Sequence, residues 1–67
     1  MTLVGYTVEA TDGAVGRAGY EGRQVVVTDA DGERLQLDVN TVARIDHRTH
    51  RVYLGVTRGE LRPTNRR

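Results

Sequence analysis

The feature that most restricts this chain is its punctuation. Asp12-Gly13, Glu21-Gly22 and Asp31-Gly32 recur at short, regular spacing. Asp-Gly suits the positive φ that tight hairpin turns demand. The segments between these points are rich in Val, Thr and Tyr, residues that fit a pleated surface. The pattern is that of short strands joined by tight turns.

Residues 3–9 predict a half-buried strand, with Val4, Tyr6 and Val8 on one face and Gly5, Thr7 and Glu9 on the other. Residues 14–20 predict a second, with Gly16 and Gly19 as bending points. Residues 24–28 hold Val25, Val26 and Val27 in a run, which predicts a strand covered on both sides. Residues 33–39 give the clearest two-residue period, Leu35, Leu37 and Val39 against Arg34, Gln36 and Asp38. Residues 41–46 fit either a short strand or a helical turn capped by Asn40. In residues 51–57, Val52, Leu54 and Val56 face away from Tyr53. Thr57 and Glu60 have capping-box spacing. A single helical turn there would bring Leu61 onto the sheet, and Pro63 would end it.

Five or six short strands cannot bury a face unless the sheet curls or pairs with another. The fold class expected is all-β: a small, highly bent barrel of five to six antiparallel strands with a short C-terminal helical turn. Residues 1–62 form the domain and residues 63–67 a basic flexible tail.

With 67 residues and no cysteine, this domain cannot use disulfides. Chains below roughly 70–80 residues rarely draw more than a few kcal/mol from one core, and usually add a staple or a partner. Partner burial, including self-association, is therefore expected to complete the core, unless a short-looped barrel suffices alone. A formal net charge of +1 and ordinary apolar content argue against disorder. No long apolar run and no secretory signal are visible, so no membrane span and a cytoplasmic location are expected.

The charge is divided along the chain. All 10 basic residues are Arg. Residues 1–43 carry three Arg against seven acids, a net of −4, and residues 44–67 carry seven Arg against two acids, a net of +5. Arg44, Arg51, Arg58 and Arg62 are the candidate cationic patch, for RNA or for an acidic protein surface. The same residues equally suit pairing with the acidic first half, and that reading is preferred. Nucleic-acid binding is not favoured, because stacking aromatics are scarce: Tyr6, Tyr20 and Tyr53 are the only three. These tyrosines are the candidate interface residues, since Tyr suits a surface that is apolar with a polar tip.

Catalytic chemistry finds no support. Ser, Cys and Lys are absent, and no Thr is paired with a His and an acid. His47 and His50 beside Asp46 are expected as solvated loop residues rather than metal ligands. Gly13-Ala14-Val15-Gly16 lacks the helix that a dinucleotide site requires. No catalytic residue, metal or cofactor is assigned.

Gly5-Tyr6, Val8-Glu9-Ala10-Thr11-Asp12-Gly13 and Val15-Gly16-Arg17 resemble the opening of PRC-barrel domains. Leu37, Val39, Thr41-Val42, Arg44-Ile45-Asp46, Arg51-Val52-Tyr53-Leu54, Thr57 and Leu61 resemble the family's later strands and closing turn. The resemblance spans about residues 3–61. It implies a six-stranded barrel acting as a protein-binding adaptor, with no catalytic motif to carry over. The function expected is a self-associating adaptor module, with a protein partner and a homodimer. The alternative is a small-barrel RNA-binding or ribosome-associated accessory protein that uses the Arg-rich C-terminal third.

Overall fold

Strand β1 (Thr7–Ala10) turns through Thr11 and Asp12 into β2 (Gly13–Glu21), with Ala10 opposite Gly13. A second two-residue turn, Gly22-Arg23, leads into β3 (Gln24–Asp29). After Asp31-Gly32 comes the short β4 (Arg34–Gln36). In this computed structural model, which describes residues 3–63, β5 (Val42–Asp46), β6 (Arg51–Leu54) and the two-residue β7 (Arg62–Pro63) follow. Two 3-10 turns, Val39–Thr41 and Arg58–Glu60, precede β5 and β7. All strands join one sheet in the order β5-β6-β1-β2-β3-β4-β7.

The small all-β fold is the one the turn spacing predicts. Its all-antiparallel arrangement needs one correction: β1 and β6 run parallel, Val8 opposite Val52. Hairpins fix antiparallel direction only between sequence neighbours. Most of the chain lies between these two strands and acts as their crossover. Backbone bonds from Thr7 to the His50 carbonyl and from Thr11 to the Val56 carbonyl, both 2.9 Å, extend the contact at each end.

The sheet bends at β2. Its first half pairs with β1 and its second half with β3, and Gly16 belongs to both ladders. A register shift between Val8 and Glu9 lies beside that point, and such bulges bend a strand. The concave face then closes on one core of Tyr6, Val8, Ala18, Val27, Leu37, Val52 and Leu54. Val8, Val27 and Val52 are fully buried. Each is worth roughly 1.5–3 kcal/mol relative to exposure. Leu61 packs against the core from beyond the second 3-10 turn, as expected.

Val26, buried on the opposite face from Val27, accounts for the apolar run in β3. The ladders put Gly19 on one side of Val26 and Gln36 on the other. Arg34 of β4 forms an ion pair with Glu21 of β2, so their side chains cross β3 over Val26. The aliphatic stem of an arginine can cover an apolar residue in this way.

Three expected strands are shorter than their periodicity, and the one over residues 51–57 ends at Leu54. Residues 3–6 form a turn, with Gly5 at φ 87° and Tyr6 donating its backbone N–H to the Leu3 carbonyl. Val4 is accordingly exposed. The 33–39 strand ends at Gln36 because Asp38 caps a 3-10 turn, its Oδ1 accepting from the Asn40 N–H at 2.9 Å. The 41–46 ambiguity resolves as a turn followed by a strand, capped by Asp38 rather than Asn40. Pro63 belongs to β7. The rest of the expected tail, 64–67, lies outside the described residues.

Candidate functional site

Among the described side chains of the candidate patch, Arg44, Arg51 and Arg58 each have a different partner. Arg51, at the start of β6, pairs with Glu9 of β1 at 2.6 Å. The parallel β1–β6 pairing makes this contact, because Arg51 lies opposite Thr7 and Glu9 lies opposite Tyr53. Arg58 sits at the other end of the sheet. Its backbone N–H donates to Asp12 Oδ1 at 2.9 Å, and its Nε lies 3.5 Å from the same oxygen. That backbone bond, ahead of the guanidinium charge, holds the Asp12 carboxyl below its ordinary value. Arg44 of β5 lies over the Tyr53 ring, 4.8 Å from its centroid. Arg62 is placed by its backbone, opposite Gln36; its side chain lies outside the described residues. Glu9 and Asp12 belong to the acidic first half, so two of the four candidate arginines pair across the charge division.

The three tyrosines have three environments. Tyr6 is a core residue with 8% of its surface exposed. Its hydroxyl lies 2.8 Å from His47 Nδ1. The His50 ring stands edge-on to it, with centroids 5.1 Å apart. The β5–β6 loop therefore clasps Tyr6 between two exposed histidines. Tyr20 is exposed near the end of β2. Tyr53 is half-buried on the outer face of β6. Only Tyr20 and Tyr53 remain at the surface.

Among the described residues no group of three His, Cys, Asp or Glu side chains is placed to hold a metal ion. Asp46 is engaged locally, its Oδ1 accepting from the backbone N–H of Arg48 and of Thr49. Those bonds, with a smaller contribution from Arg44, lower its pKa. A cavity of about 890 Å³ opens between β3, the segment after β4 and the second 3-10 turn. Val25, Leu37, Val56 and Leu61 line its apolar part, and neither histidine lines it.

Sequence reasoning missed the surface at β5. Ile45 lies on the core side of its strand, opposite Val52, yet 37% of its surface is exposed. Alternation places a residue on a face and does not say whether a further strand covers it. Val39, on the 3-10 turn before β5, is 69% exposed and lines the cavity with Val56 and Leu61.

Comparison with known proteins returned no matching family model, no matching curated relative and no matching solved structure. No helix among the described residues is long and apolar enough to cross a membrane.

Proposed function

We propose that this chain is a non-enzymatic protein-interaction module, as its resemblance to PRC-barrel adaptors implies, and that it self-associates in the cytoplasm. The observation that carries the reading is the use of charge within the chain. Arg51 and Arg58 are engaged by Glu9 and Asp12, and Arg44 lies on Tyr53. The surface left for a partner includes the apolar side chains of Tyr20, Val39 and Ile45. A core whose fully buried side chains are three valines gains most from additional burial by a partner.

A second reading, RNA binding, draws on a different set of residues. The ladders align Arg51, Thr7, Arg17, Thr28 and Arg34 in one row across five strands. Two of its three arginines face Glu9 and Glu21, which favours the protein-binding reading.

Light scattering over a dilution series, at low and high salt, tests the proposal. A dimer that persists at high salt is expected. A monomer at every concentration overturns self-association. Salt-dependent RNA binding that weakens on replacing Arg17 and Arg51 would favour the second reading.

A further inference from the structure

The two ends of the sheet differ in how they are protected. At one end, β7 (Arg62–Pro63) carries a proline. Proline on an edge strand is a device that prevents further pairing. At the other end, β5 has five residues, Val42–Asp46, with neither proline nor lysine. A register shift between Val42 and Arg44 confines its regular part to Arg44, Ile45 and Asp46. On the core side, Ile45, Val52 and Val8 lie in one row. Val52 and Val8, with strands on both sides, are fully buried, whereas Ile45 is not.

The sequence of that edge is self-complementary. Arg44 and Asp46 share the outer side of β5, and Ile45 takes the inner side. A second copy laid antiparallel and centred on Ile45 sets Ile45 against its own counterpart. It also sets Arg44 against Asp46 of the second copy, twice. Opposite charges in directly facing positions are favourable, and like charges are not. A parallel, in-register pairing would oppose Arg44 to Arg44. A two-fold interface requires one patch that fits itself, and Arg44-Ile45-Asp46 read in both directions meets that requirement. Tyr53 holds the Arg44 guanidinium over the same outer face.

We propose that the chain forms a symmetric dimer by antiparallel pairing of β5 with β5 of a second copy, in the register that sets Ile45 against Ile45. This rests on the self-association reading above and specifies its surface.

The chain has no cysteine, so a single introduced thiol reports the register. Facing residues of an antiparallel pair have Cβ atoms about 4.5–5.5 Å apart, close enough for a disulfide after a small adjustment. Ile45→Cys is expected to give a covalent dimer under mild oxidation. Ala43→Cys, which would face His47 of the second copy, and Asp31→Cys, in a distant turn, are expected to give only background cross-linking. Arg44→Glu replaces both attractive pairs with repulsive ones. It is expected to weaken the dimer about tenfold, less so at high salt, with only a modest fall in the monomer's melting temperature from the lost Tyr53 contact. Should Ile45→Cys fail to fold, Arg44→Glu decides alone. A dimer that neither cross-links through Cys at position 45 above the controls nor responds to Arg44→Glu overturns this surface and leaves self-association standing. A monomer at every concentration overturns both.

Discussion

The carbonyl oxygen of Thr28 occupies the space into which a side chain on Gly16 would extend. A Cβ on Gly16 would overlap that oxygen and press on the Thr28 carbonyl carbon and the Asp29 Cα. All three are backbone atoms of β3 and cannot turn aside. Gly19, three residues on in the same strand, has nothing within 4 Å of the equivalent point. The two glycines therefore predict opposite outcomes. Gly16→Ala is expected to destabilise by about 3 kcal/mol, at the severe end of overpacking. Gly19→Ala is expected to stabilise by about 0.5–1 kcal/mol, since glycine weakens a strand interior. Thermal melting of both variants checks the contrast, and a stable Gly16→Ala protein would disprove the close approach.

Tyr6 links the core to the β5–β6 loop. Its ring is buried while its hydroxyl meets His47. Tyr6→Phe keeps the ring and removes the bond. The expected loss is about 0.5–1.5 kcal/mol, together with a change in the His47 ring resonances in NMR spectra recorded at one fixed pH. His50, which packs edge-on against the ring and does not meet the hydroxyl, is expected to keep its resonances nearly unchanged. A shift of His50 alone would contradict the assignment.

What was legible in the sequence was local. Asp12-Gly13, Glu21-Gly22 and Asp31-Gly32 all fall at turns, because a tight turn is decided by the residues within it. The triple-valine run was legible because burial on both faces leaves no polar position. Gly16 was readable as a bend, but Gly19 looked the same, since only the folded neighbour distinguishes them. Val4 and Val39 follow the strand period yet sit at turns set by Gly5 and Asp38. Here a local cap or positive φ overrode alternation. The candidate arginines were identifiable, but their partners depended on β1 lying parallel to β6. No short-range signal encodes that pairing. The exposed position of Ile45 depends in the same way on which strand ends the sheet.

Acid should loosen the fold through two particular carboxylates. Asp12 and Asp46 are both held below the ordinary value of 3.8, chiefly by backbone N–H donors, of Arg58 for one and of Arg48 and Thr49 for the other. A depressed pKa means that the native state favours the ionised form. The stabilisation is complete above the unfolded value and disappears as pH falls through the lower folded value. The melting temperature is therefore expected to drop between about pH 5 and pH 2. The Asp12→Asn, Asp46→Asn double variant should start lower at neutral pH and show a shallower acid slope. An undiminished slope would assign acid sensitivity to other carboxylates.

Tyr53 supports Arg44 from the next strand, so it should matter more to association than to folding. Its ring lies 4.8 Å from the guanidinium, and Arg44 and Tyr53 face each other in the ladder. An exposed cation–π contact contributes about 0.5–1 kcal/mol. Within one chain, Tyr53→Ala loses that contact and a half-buried ring on the outer face, leaving the core row of Val52 and Leu54 intact. In the dimer, Arg44 then reaches the second copy without its support, once on each side of the seam. The expected result is a roughly fivefold weaker dimer with a modest fall in melting temperature. Tyr53→Phe, which keeps the aromatic face, should restore association. Sedimentation and melting run on the same samples separate the two effects. If Tyr53→Ala lowers the monomer's stability as much as its association, Tyr53 is a folding residue and Arg44 does not depend on it at the interface.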